Sequence, residues 1–72
     1  MKRIPTSSPG ITQVGYHQDS DVLGTLELMF SNGSVYQFFN VPTNIYDEFM
    51  HSPSKEDYYV AKIGKRFPHA HV

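Results

Sequence analysis

Hydrophobic and polar positions alternate with period two over residues 26–38, Leu-Glu-Leu-Met-Phe-Ser-Asn-Gly-Ser-Val-Tyr-Gln-Phe. Leu26, Leu28 and Phe30 share one parity before Asn32-Gly33, and Tyr36 and Phe38 share one after it, the pattern of a β-hairpin. Loop length decides the register. A two-residue Asn-Gly turn sets Phe30 opposite Val35 and sends Tyr36 and Phe38 to the far face. A three-residue loop over 31–33, with Gly33 left-handed in a bulge, sets Leu28 opposite Tyr36 and Leu26 opposite Phe38. All five large side chains then share one face, and Thr25, Glu27, Val35 and Gln37 take the other. A one-residue slip would turn every side chain over, so burial selects the bulged hairpin.

The rest of the chain is read around that hairpin. Residues 11–16 predict a first strand, with Val14 and Tyr16 on one face, Ile11 and Gln13 on the other, and Gly15 marking a bulge or a close backbone approach. The second strand covers 22–30, weakened early by Gly24, and the third covers 34–40. Val41-Pro42 ends the sheet, since proline removes a ladder donor but suits the first turn of a helix. Ile45, Tyr46, Phe49 and Met50 fall at helical spacing and predict a helix over 42–51 with Asp47 and Glu48 outside. Ser54 reads as the N-cap of a second helix reaching Ile63, with Glu56 and Asp57 in its first turn and Gly64 as its stop. The fold class is α+β, a three-stranded antiparallel meander packed by two short helices, with a curled, barrel-like sheet as the alternative. The domain organisation is an N-terminal arm (1–10), one domain (11–68) and a C-terminal tail (69–72).

Seventy-two residues allow one small core, a size at which oligomerisation often supplies further buried surface. There is no cysteine, hence no thiolate metal site, which fits a reducing cytoplasm. No apolar run approaches a membrane span, and the opening Met-Lys-Arg-Ile-Pro lacks the core of a secretory signal. Six basic residues stand against seven acidic ones, too few for general polyanion binding, which rests on many Lys and Arg contacts. Lys62, Lys65 and Arg66 nevertheless cluster, and a local cluster suits a small anionic ligand better than a long nucleic acid.

Ser8, Val14-Gly15-Tyr16, Leu26-x-Leu28-x-Phe30, Gly33-x-x-Tyr36-x-Phe38, Val41-Pro42, Tyr46, Ser54, Tyr58-Tyr59, Ile63 and Phe67-Pro68 together resemble the KTSC domain family over about residues 8–68. That family occurs at the C-terminus of some lysyl-tRNA synthetases and as single-domain proteins of bacteria and phages. The resemblance implies an association with RNA. Small phage proteins of this size also include sponges, homo-oligomers that sequester nucleotide immune signals without hydrolysing them. The chain departs from the family at Glu56, where glycine is usual, at Val60, where asparagine is usual, and at Gly64, where a basic residue is usual.

Each candidate site residue has a structural alternative. Tyr36 and Phe38 can stack bases, but their parity favours the core. Tyr16, Tyr58 and Tyr59 can touch ligand or pack at the rim. Ser54 can bind phosphate or simply cap its helix, and Ser8 can bond a ligand edge or fix the arm. Lys62, Lys65 and Arg66 form a phosphate-binding group or a solvated face. Arg66 is the leading phosphate contact, because its planar fork matches two oxygens. His69-x-His71 and His17 lack fixed third and fourth ligands, so no metal and no cofactor is expected. No nucleophile–base spacing stands out, and the chain reads as a non-enzyme. The expected function is a cytoplasmic, homo-oligomeric module that captures a small nucleotide or cyclic oligonucleotide; the alternatives are an RNA-binding module or a protein-interaction module.

Overall fold

A computed structural model describes residues 2–72, so residue 1 of the expected arm lies outside the described residues. The elements are β1 (Ile4–Pro5), β2 (Ile11–Gln18), β3 (Leu23–Phe30), β4 (Val35–Pro42), α1 (Thr43–His51), α2 (Lys55–Tyr58) running into a π-helical turn (Tyr59–Ile63), and β5 (His69–His71). The five strands form one open antiparallel sheet in the order β1-β2-β3-β4-β5. The fold is α+β, but the sheet has five strands where three were expected. It does not close into a barrel, because β1 and β5 remain as its edges. The segments read as arm and tail supply those two edges.

The central hairpin adopts the bulged register. Leu26 pairs with Phe38 and Leu28 with Tyr36. The Phe30 amide donates to the Ser34 carbonyl at 2.9 Å, and Gly33, at φ 89°, donates to the Phe30 carbonyl. That left-handed conformation costs glycine little. Two further irregularities keep apolar residues on the same face. On β2 the register shifts between Ile11 and Gln13, so Thr12 is an extra residue and Ile11 turns inward beside Val14. This corrects the expected parity of Ile11, which is 1% exposed in the core. On β4, Phe39 and Asn40 together oppose Thr25, and Asn40 takes φ 60°. Asparagine tolerates this region better than most residues. Phe38 and Val41 then both face inward, and β4 continues through Pro42, which pairs with Leu23 instead of ending the sheet at residue 40.

Both helices cover the inward face. α1 presents Ile45, Tyr46, Phe49 and Met50 to a core of Ile11, Val14, Leu26, Leu28, Phe38, Val41, Phe49 and Ile63. Burying each such large apolar side chain contributes about 1.5–3 kcal/mol. Ser54 caps α2, accepting a hydrogen bond from the Asp57 amide at 3.3 Å. The π turn ends where the Gly64 amide donates to the Tyr59 carbonyl at 2.7 Å. Gly64 stays right-handed, so it stops the helix without the left-handed cap expected of glycine.

On the outward face, Arg3 lies 3.3 Å from Glu27, and Gln37 donates to the same carboxylate at 2.8 Å. Glu27 is otherwise buried. Gly15 pairs with Glu27 and lies between β1 and β3. Gly15 stays in regular register between Val14 and Tyr16, and the bulge on β2 belongs to Thr12.

Gly24 is the tightest point of the sheet. A Cβ there would lie 2.4 Å from the Tyr16 ring and 2.6 Å from the His17 carbonyl oxygen. Tyr16 cannot withdraw freely, since its hydroxyl donates to the Val41 carbonyl at 2.8 Å and its ring stacks on Tyr46 at 4.2 Å. Gly24→Ala is therefore expected to cost about 1–3 kcal/mol, the range for overpacking. Urea unfolding measures this, and a loss below about 0.5 kcal/mol, an ordinary surface effect, would contradict it.

Candidate ligand-binding site

The residues singled out as ligand contacts are not gathered at one place. Tyr16 belongs to the α1 side of the molecule. Its stack on Tyr46 and its bond to Val41 are structural, and burial, then Asp19, then Asp47, raise its hydroxyl pKa above the usual range. Tyr58 ties the helices together by donating to the Glu48 carboxylate at 2.8 Å. Its pKa is pushed up to about 12, first by burial and then by that carboxylate.

Tyr36 lines a cleft of about 510 Å³ with Gly10, Phe30, Ser31, Asn32, Ser34, Tyr59 and His69. The hairpin places Phe30 and Tyr36 side by side with rings 5.9 Å apart and near perpendicular. The helix brings the Tyr59 edge to 5.3 Å from Phe30. Across the β4–β5 ladder, His71 stacks on Tyr36 at 4.6 Å, and His69 lies 5.5 Å from Phe38. Burial, and then the neighbouring Tyr36, raise the Tyr59 hydroxyl pKa. Aromatic faces with hydroxyls and an amide at the rim can stack a planar heterocycle and bond its edges. Tyr36 thus packs against the core and also forms a cleft wall. Asn32, Ser34 and His69 were legible only as turn and tail residues. Nothing in their local sequence signals that a turn and a terminal strand meet beside Tyr36.

The basic residues lie beyond Tyr59. Lys65 lines a shallow patch with Tyr59, Val60 and Gly64. Arg66 is exposed, and its Nε–H donates to the Ala61 carbonyl at 3.1 Å, capping its own helix. The helix ends before Arg66, so Lys62 and Arg66 do not share a continuous helical face. Ser8 and Ser54 do meet. With Ser7, Pro9, Pro53, Lys55 and Glu56 they line a second groove of about 410 Å³. Gly10 borders the first cleft and its neighbour Pro9 the second, so the two are adjacent. Among the described residues, no group of three or more His, Cys, Asp or Glu side chains gathers as a metal site. No helix among them is long and apolar enough to cross a membrane.

A family model, the KTSC domain, matches residues 7–67. The chain belongs to the KTSC domain family. A crystal structure of a KTSC domain protein from Yersinia pestis is similar over 99% of this chain and 96% of that one, with 30% identity and a TM-score of 0.90. No curated protein matches the sequence.

The Tyr58–Glu48 contact carries a pH signature. The folded pKa of Tyr58, about 12, lies above the unfolded value near 10. The stabilisation is therefore fully present below pH 10 and is lost as pH rises toward 12. Thermal unfolding of Tyr58→Phe is expected to show a smaller fall in midpoint between pH 10 and 12 than the wild type. Parallel curves for the two proteins would contradict this linkage.

Proposed function

We propose that this protein is a non-catalytic binding module that captures a small nucleotide, with the base seated in the cleft between Tyr36 and Tyr59. The observation that carries the reading is the juxtaposition of Phe30, Tyr36, Tyr59 and His69 with Asn32 and Ser34 around one opening. Aromatic walls supply stacking, and the hydroxyl and amide groups supply edge recognition. Lys65, which shares a shallow patch with Tyr59, takes the phosphate in this reading. Arg66 is a weaker candidate in this reading, because its guanidinium already serves a helix carbonyl. The proposed assembly is a homo-oligomer, with the short exposed edges β1 and β5 available to a second copy. Retention of the nucleotide unaltered would make the protein a sequestering module of the sponge type.

Native mass spectrometry of the full chain with mononucleotides, cyclic dinucleotides, cyclic trinucleotides and a short RNA tests this directly. The expected outcome is a defined oligomer retaining one nucleotide class unchanged in mass. Tyr36→Leu, which keeps an apolar side chain but removes the ring, is expected to weaken that binding about tenfold or more, as loss of a base–aromatic stack does. Selective retention of RNA with a steep salt dependence would move the reading to an RNA-binding module. A monomer that retains none of the panel would refute the nucleotide reading.

A further inference from the structure

The groove beside Ser8 is already lined by an anion of the chain's own. The Glu56 carboxylate reaches 46 positions back along the sequence to accept the Gly10 amide at 2.6 Å. The Ser8 hydroxyl lies beside that carboxylate. Ser8 Oγ is the buried side-chain polar atom, among the described residues, that has no hydrogen-bond partner. Such an atom costs stability unless something bonds it. The Ser8 hydroxyl, then the backbone amides of Glu56 and Gly10, hold the Glu56 carboxyl below its ordinary range, and Lys55 adds to the effect. The Gly10 amide bonds this oxyanion and the Ser8 hydroxyl lies close by, while the Lys55 ammonium, which donates to the Met50 carbonyl at 3.3 Å, adds only its field; beside the carboxylate the groove still has about 410 Å³ of open volume.

We infer that the groove lined by Ser8 and Lys55, together with the Gly10 amide at its border, is a small-oxyanion site, for a carboxylate or a phosphate group, and that Glu56 is its built-in occupant. The Glu56 side chain is a flexible tether, so it can yield the Gly10 amide to an external oxyanion. The loop 6–10 that carries the cradle is held independently of Glu56. The Thr6 hydroxyl donates to the Ile11 carbonyl, the Thr6 amide donates to the Thr12 carbonyl, and the Ser31 amide donates to the Gly10 carbonyl. The cradle therefore survives removal of its plug. This inference does not depend on the aromatic cleft. An oxyanion can bind here whether or not a base stacks on Tyr36.

The test is thermal unfolding of the full chain and its Glu56→Ala variant in sodium chloride, sodium phosphate and sodium acetate at pH 7 and matched ionic strength. Oxyanion salts raise the stability of most proteins non-specifically, so the readout is the difference between variant and wild type. In Glu56→Ala, phosphate or acetate is expected to raise the midpoint by about 4 °C or more beyond its effect on the wild type, as saturation of a site in the folded state does. A larger response to phosphate assigns the site to phosphate groups, and a larger response to acetate assigns it to carboxylates. Adding Ser8→Ala to Glu56→Ala is expected to remove the excess response. Glu56→Asp, which withdraws the carboxylate by one methylene, is measured in parallel so that a failure of the alanine variant to fold leaves the comparison intact. Equal responses of wild type and variants to all three salts would overturn the inference.

Discussion

The left-handed turn at Gly33 is the constraint on which the rest of the structure depends. It inserts one extra residue into the β3–β4 hairpin, and that residue decides which side chains oppose one another. With it, Leu26 and Leu28 meet Phe38 and Tyr36 on a single face. Without it, the aromatic half of the hairpin would face away from the helices. The cost of a left-handed residue is small for glycine, and the gain is a continuous apolar surface. Thr12 and Asn40 repeat the device. Each adds one residue to a strand, so that residues three apart, Ile11 with Val14 and Phe38 with Val41, turn inward together. A chain of only 72 residues thus builds a core larger than strict alternation would allow.

The same geometry creates the cleft and the groove. Bringing Phe30 and Tyr36 to the inward face leaves them at the open end of the hairpin, where the helices do not fully cover them. Tyr59, placed by a π turn, closes one side, and β5 brings His69 and His71 against the other. A π turn is an uncommon device and often accompanies functional sites. The loop before β2 then carries Ser8 and Gly10 between this cleft and the start of α2. Core packing and site formation are therefore not separable at Tyr36. Its ring supports the hydrophobic cluster and lines the opening.

The outward face follows a different logic. Glu27, nearly buried, is matched by Arg3 from the edge strand and by Gln37 from the neighbouring strand. A buried carboxylate without such partners would carry a large desolvation cost. The pair therefore ties the N-terminal strand to the middle of the sheet across β2. Glu56 plays a comparable part on the other side, joining the start of α2 to the loop before β2. Arg3 and Gly10 are thus each met by an acid, Glu27 at one and Glu56 at the other.

Local sequence was sufficient for the hairpin register, the apolar stripe of α1, the Ser54 cap and the family resemblance. The first three rest on residues close in the chain, whose side-chain period or hydrogen bonding is fixed by backbone geometry, and the resemblance rests on the order and spacing of residue types along it. The breaker-rich arm and the polar tail gave no comparable signal. Ile4–Pro5 and His69–His71 are too short for periodicity, and they become strands only because β2 and β4 offer unpaired edges. The inward turn of Ile11 was equally hidden, since the extra residue at Thr12 is defined only against β3. The site was legible as residue types and not as a place. Tyr36, Ser8, Ser54 and Lys65 were recognisable candidates. Tertiary pairing decided that Tyr36 would meet Tyr59 and His69, and that Glu56 would reach Gly10. Those contacts join residues far apart in the chain, and no local pattern encodes them.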